Sequence, residues 1–141
     1  LKCFVDADVD VAIMECGMGG RLDSTNIIQP DVCGISIIDY DHCAILGDTL
    51  DKIAFEKAGI MKSGVPMMVQ EQLSDLVMPV FEKQAKKSGA YLFVCPPFDQ
   101  WEKENGGSIE LGLHGSHQKN NASLALALTS IWKKSYLKTN H

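Results

Sequence analysis

Three ionisable side chains stand at positions from which they could bind a metal or a phosphate: Glu15, His42 and Lys57. Glu15 follows an apolar run over residues 9–14 and precedes the glycines of residues 17–20. A carboxylate at the end of a buried strand can ligate Mg²⁺, and glycines let the backbone approach a phosphate or take a positive φ. A tight turn beside one solvated acid explains the same pattern, so this junction alone leaves both interpretations open.

Asp41 and His42 follow a second apolar run, residues 32–38. In open α/β sheets ligands collect outside the carboxyl ends of the strands, so His42 lies near Glu15 if the two strands pair. A hydrogen-bonded structural histidine is the alternative. Cys43 does not turn this segment into a zinc site, because the sequence offers no further ligands at a suitable spacing.

Lys57 lies near the end of a helix predicted over residues 48–61. A lysine there ordinarily complements the helix dipole and extends into solvent. A partly buried lysine can instead be neutral, and a neutral amine can add CO₂ to form a carbamate. The carbamate is an anion that is able to bind a metal, so Lys57 has a structural and a chemical interpretation.

Side-chain amides are dense in residues 113–122, at the start of the last predicted helix. Ser116 suits a helix cap, but capping does not explain the His, Gln and Asn residues of the first turns. Recognition of a nucleobase would use such amides, and a polar helix start remains the alternative.

The elements that must position these groups alternate along the chain. The nearly continuous apolar runs are typical of buried parallel strands, and the amphipathic segments between them are typical of covering helices. The pattern predicts an α/β fold with a mostly parallel sheet flanked by helices, entered after the domain has begun. The predicted strands are residues 9–14, 32–38, 65–69 and 90–95, with an edge strand at 108–113; the predicted helices are residues 48–61, 73–87 and 117–132, and residues 98–108 are predicted to be irregular.

Composition limits the class of protein. With 141 residues and 45% apolar residues the chain suits one globular domain. A net charge of −5 lacks the basic footprint of a nucleic-acid binder, and no apolar stretch approaches the ~18 residues of a membrane span. The five cysteines include no CxxC pair, which indicates a reducing compartment without a disulfide framework.

Taken in order, the motifs of residues 9–128 resemble the folylpolyglutamate and dihydrofolate synthases, members of the Mur-ligase superfamily. The similarity is closer to the eukaryotic folylpolyglutamate synthases than to the bacterial bifunctional enzymes. The motifs that carry it are residues 15–26 (ECGMGGRLDSTN), Asp41-His42, Leu46-Gly47, Ile53-Ala54, residues 56–60 (EKAGI), His117-Gln118 and Asn121-Ala122.

The resemblance implies an ATP-dependent ligase that adds L-glutamate to the γ-carboxyl of a folate through an acyl phosphate. It implies that Glu15 and His42 bind Mg²⁺ and that carbamylated Lys57 helps to hold the metal, which makes His42 and Lys57 the catalytic pair. It also implies that Asn121 contacts the base of ATP. The loop of Leu22, Asp23 and Ser24 is implied to lie against the folate.

The glycine-rich phosphate-binding loop and the C-terminal domain of that family are not found in residues 1–141, so we expect a partial Mur-ligase-type central domain that is inactive by itself. Dihydrofolate synthase is the alternative enzyme. A non-catalytic truncated form, or a magnesium- or folate-binding module, is the alternative of another class. The resemblance further implies a monomer, without nucleic-acid or membrane partners, in the cytoplasm and also in mitochondria.

Overall fold

A three-stranded parallel sheet organises residues 2–139, the part of the chain that this computed structural model describes. The strands lie in chain order, with Cys33 opposite Met67 and Met67 opposite Leu92. This confirms the α/β class and the parallel sheet. The strands are β1 (Cys33–Ile35), β2 (Pro66–Val69) and β3 (Tyr91–Val94).

Helices cover both faces of the sheet. The helices are α1 (Lys2–Asp6), α2 (Cys43–Leu46), α3 (Leu50–Ala58), α4 (Met78–Ser88), α5 (Phe98–Glu104) and α6 (His117–Thr139), and Ser24–Ile27 form one turn of 3₁₀ helix. Helices α3 and α4 make the crossovers that parallel neighbours require, and they pack against each other. Helix α6 packs on β1 and β2.

The central strand β2 divides the core in two. Successive side chains of a strand point to opposite faces, so Met67 and Val69 join the cluster under α3 and α4 while Met68 joins the cluster under α6. All three are buried, as expected for a strand with helices on both faces. The thiols of Cys33 and Cys95 are buried as well, and burial raises the pKa of each to about 11.

Helix boundaries follow local chemistry. Pro79 stands in the first turn of α4, where no N–H bond is lost, and Gly89 ends the helix in the left-handed region at φ 78°. Buried Ser123 fixes α6 to the rest of the fold, because its hydroxyl donates to the Pro96 carbonyl oxygen and accepts from Trp101 Nε1.

The prediction of a strand at residues 9–14 is wrong. Residues 9–14 are irregular, and Ile13 is 89% exposed. An apolar run becomes a strand only beside a neighbour that completes its hydrogen bonds, and the sheet of the described residues consists of β1, β2 and β3.

The prediction for residues 98–113 is wrong at residues 98–104, which are predicted to be irregular, and at residues 108–113, which are predicted to form an edge strand. Residues 98–104 form α5, which begins after extended Pro97 with Asp99 in its first turn and Phe98 buried. Residues 108–113 form no strand. The polar composition of α5 concealed a helix that rests on two anchors, Phe98 and Trp101.

The other predicted helices and strands are present with shifted ends, and α6 extends beyond residue 132. Within residues 2–139 no helix combines the length and the apolarity needed to cross a bilayer.

We predict that Ile53→Ala lowers the free energy of unfolding by about 2–5 kcal/mol, because Ile53 is fully buried and its loss leaves a cavity. The matched control is Ile13→Ala, which we expect to change the free energy of unfolding by no more than about 0.5 kcal/mol. Urea unfolding measures both. A cost at Ile13 equal to that at Ile53 would show that residues 9–14 form a buried strand.

Candidate functional site

The carboxylate of Asp23 closes the glycine segment that follows Glu15. Its Oδ2 accepts from the backbone N–H groups of Gly17 at 2.9 Å and Met18 at 3.2 Å. Its Oδ1 accepts from the backbone N–H of Thr25 at 2.8 Å and the Thr25 hydroxyl at 2.6 Å. The Thr25 hydroxyl, followed by these backbone N–H groups, lowers the pKa of Asp23 to about 2.

The same segment is attached to the C-terminal half of α3 through Arg21. The guanidinium makes a bidentate pair with Glu56, with Nε–Oε2 3.1 Å and Nη2–Oε1 2.9 Å. The backbone N–H of Arg21 also donates to the Glu56 carbonyl oxygen at 2.8 Å. The hydrogen bond and the charge of Glu56 raise the pKa of Arg21, whose guanidinium lies 5.7 Å from the centre of the Phe55 ring.

Two glycines allow this close approach. A Cβ added at Gly20 would lie 2.8 Å from the Lys57 carbonyl oxygen, and one added at Gly59 would overlap the Arg21 Cβ. Asn26 Nδ2 bridges the two sides, donating to the carbonyl oxygens of Arg21 at 3.0 Å and Gly59 at 3.1 Å. The glycine segment and the helix that carries Lys57 are therefore one packed unit.

The three predicted metal ligands sit in different surroundings. Glu15 is exposed before the glycine segment, and Lys57 is half-buried in the last turn of α3. His42 is exposed after β1 with φ 51°, and its Nε2 lies 3.4 Å from Asp41 Oδ2. In residues 2–139 no group of three or more His, Cys, Asp or Glu side chains is placed to hold a metal. The set of Glu15, His42 and Lys57 stays a prediction.

Two glutamines after β2 hold the segment that leads to His42. Gln70 Oε1 accepts from the Ile37 N–H at 2.9 Å, and Gln72 Oε1 accepts from the Ile38 N–H at 2.8 Å. Gln72 Nε2 also donates to the carbonyl oxygens of Ser36 and Gln70. These bonds continue the contact between β1 and β2 beyond the last ladder pair, and so they fix the carboxyl edge of the sheet.

Asn121, the predicted contact for the ATP base, is exposed near the start of α6 and reaches this edge. Its Oδ1 lies 3.5 Å from Gln70 Nε2, and its Nδ2 donates to Gln118 Oε1 at 3.2 Å.

Of the residues predicted to lie against a folate, Leu22 is 79% exposed and Ser24 is exposed, whereas both carboxylate oxygens of Asp23 bond within the loop.

Sequence reasoning missed the internal role of Asp23, the Arg21–Glu56 pair and the position of Gln70. The order Asp-Ser-Thr at residues 23–25 is a capping signal that was available. A glutamine that directly follows a buried strand was also visible. The Arg21–Glu56 pair spans 35 positions, and no local pattern signals it.

This arrangement defines a class: an α/β unit with polar side chains at the carboxyl edge of a parallel sheet, the edge at which open α/β proteins bind their ligands. The chain is 49% identical over 132 residues to "Folylpolyglutamate synthase" of Arabidopsis thaliana and 45% identical over 130 residues to "Folylpolyglutamate synthase, mitochondrial" of Bos taurus. These alignments cover 93% and 92% of this chain. No protein-family model matches.

The fold gives the same relationship. The solved "FPGS-AMPPCP-folate complex" superposes with a TM-score of 0.82 at 29% sequence identity, over 94% of this chain and 36% of that one. In both sequence and fold the chain is similar to the folylpolyglutamate synthases over more than nine-tenths of its length. It spans about a fifth of the length of the curated relatives that it matches, with 22% of each covered.

We predict that the carboxyl of Asp23 titrates at about 2 and that Thr25→Val raises this pKa, because the Thr25 hydroxyl is its strongest hydrogen-bond donor. NMR of the carboxyl carbon measures both. The folded pKa lies below the unfolded value of about 3.9, so the stabilisation by Asp23 is complete above pH ~4 and is lost as the pH falls through about 2. A stability difference between wild type and Asp23→Asn that does not shrink below pH ~4 would contradict this assignment.

Proposed function

We propose that this chain acts in the ATP-dependent ligation of L-glutamate to the γ-carboxyl of a folate, through an acyl phosphate. The observation that carries the proposal is the sequence identity of this chain, 41–49%, to proteins named folylpolyglutamate synthase over at least 90% of its length. The TM-score of 0.82 to a complex that contains AMPPCP and folate supports ATP and a folate as the substrates.

Within such an enzyme we propose that residues 1–141 form part of a Mur-ligase-type ATP-binding central domain. Asn121, exposed at the carboxyl edge of the sheet, contacts the base of ATP. Leu22 and Ser24 present the surface that faces the folate. Asp23 holds that surface in shape, because its oxygens bond to both sides of the loop.

We propose Glu15, His42 and Lys57, the last as a carbamate, as the ligands of Mg²⁺. The donor chemistry fits: carboxylate and carbamate oxygens are hard ligands of the kind that Mg²⁺ prefers, and Glu15 and His42 are exposed to an incoming ion. When bound, the metal neutralises charge on the phosphoryl group that is transferred.

The chain contributes positioning to this reaction. The Arg21–Glu56 pair and the close contact at Gly20 hold the segment after Glu15 against the helix of Lys57. Lys57 is half-buried in the last turn of α3, and the neutral form of an amine is the one that reacts with CO₂. His42 follows the segment that the two glutamines hold.

The compartment and the oligomeric state belong to the proposal as well. The name of the Bos taurus relative places that protein in mitochondria. We propose a mitochondrial location beside the cytoplasmic one, and a monomer.

A chimera tests the proposed activity. The aligned part of this chain replaces the matching segment of the Arabidopsis thaliana relative, and ATP-dependent addition of labelled glutamate to tetrahydrofolate is assayed. We expect an active chimera. Lys57→Arg should lower kcat by about 100-fold or more, because an arginine keeps the positive charge of an unmodified lysine but cannot form the anionic carbamate.

The matched control is Lys83→Arg, on an exposed position of α4, which should keep the activity of the chimera. A chimera that melts cooperatively but adds no glutamate would contradict the proposed function. Turnover of dihydropteroate without turnover of tetrahydrofolate would identify the dihydrofolate synthase alternative.

A further inference from the structure

A chain of hydrogen bonds runs from the backbone of the sheet edge to the surface at the start of α6. The Ile37 N–H donates to Gln70 Oε1 at 2.9 Å, and Gln70 Nε2 lies 3.5 Å from Asn121 Oδ1. Asn121 Nδ2 donates to Gln118 Oε1 at 3.2 Å, and Gln118 Nε2 lies 3.1 Å from His117 Nε2. Three side-chain amides are thus connected head to tail.

The direction of this chain is fixed at its inner end. A side-chain amide has two ends of nearly equal shape, so hydrogen-bond partners decide which end is the oxygen. The backbone N–H of Ile37 can only donate, and it therefore requires the oxygen of Gln70. The NH₂ group of Gln70 then faces Asn121, which must present its oxygen inward and its NH₂ group towards Gln118.

Burial fixes the orientation of the Gln70 amide. Gln70 is 4% exposed, so water cannot replace a partner that a rotation would remove. Asn121 is exposed, so without the contact to Gln70 its amide would be free to take either orientation. The polarity of the buried amide is thereby transmitted to a surface amide.

Asn121 keeps free capacity on both atoms. Its oxygen has a second lone pair, and its NH₂ group has a second hydrogen. A surface edge with one acceptor beside one donor matches adenine, which offers the N6 donor beside the N7 acceptor. A purine with an oxygen at C6 offers acceptors at both positions and meets the Asn121 oxygen with a repulsive contact.

We infer that Gln70 is a positioning residue that sets the base preference of the site, by holding the amide of Asn121 in the orientation that accepts adenine and disfavours 6-oxopurines. The inference rests on the proposed contact between Asn121 and the base of ATP.

The test titrates adenosine and inosine into the full 141-residue chain and follows the Asn121 side-chain amide by NMR. These nucleosides carry no phosphate, so the comparison isolates the base. We expect the wild-type chain to bind adenosine at least about tenfold more tightly than inosine. In Gln70→Glu an oxygen faces Asn121 in place of the NH₂ group, so the Asn121 amide turns and the preference falls to parity or reverses.

The matched control is Gln29→Glu, which introduces the same charge at an exposed position between the 3₁₀ turn and β1. The ratio of the two affinities should stay at the wild-type value.

The outcomes separate the two proposals. An unchanged adenosine preference in Gln70→Glu overturns the role of Gln70 and leaves the base contact of Asn121 standing. No response of the Asn121 amide to either nucleoside in the wild-type chain overturns the base contact itself.

If Gln70→Glu does not fold, NMR of the wild-type chain still tests the orientation of the Asn121 amide. Nuclear Overhauser effects from the Asn121 Nδ2 protons to the Gln118 side chain support the orientation. Nuclear Overhauser effects from the same protons to the Gln70 side chain overturn this orientation.

Discussion

The structure depends on the attachment of a glycine segment to the helix that carries Lys57. Arg21 joins Glu56 through its guanidinium and through its backbone N–H, while Gly20 lets the two backbones come into contact. An exposed ion pair alone contributes little to stability, and this pair gains its effect from the backbone contacts around it. Asp23 then gives the attached segment one conformation, because its carboxylate bonds to Gly17, Met18 and Thr25. These bonds form one connected network.

A second network holds the carboxyl edge of the sheet. Gln70 and Gln72 extend the contact between β1 and β2 past the end of the strands, and Gln70 continues it to α6. Buried polar groups stabilise a fold only when all of them are paired, and the buried Gln70 and the partly buried Gln72 each use the oxygen and the nitrogen of the amide. The sheet edge is therefore defined by side chains as much as by the strand ladder.

The sequence was sufficient to predict the family, the parallel sheet and α3, α4 and α6, because buried strands and amphipathic helices leave periodic patterns. It failed at residues 9–14, where the apolar composition indicates a strand. Whether such a segment forms a strand depends on a neighbouring strand that completes its hydrogen bonds. It failed at α5, where Phe98 and Trp101 anchor an otherwise polar segment. It identified Glu15, His42, Lys57 and Asn121 as candidates but not Arg21, Glu56 or Gln70, because those residues act through partners that are distant in sequence.

Amide hydrogen exchange tests most directly whether the glycine segment and α3 form one unit. The account predicts slow exchange at the N–H groups of Gly17, Met18 and Arg21, and a joint acceleration of all three in Glu56→Gln, although only Arg21 contacts Glu56 among them. Faster exchange at Arg21 alone, or fast exchange of Gly17 and Met18 in the wild-type chain, would contradict it.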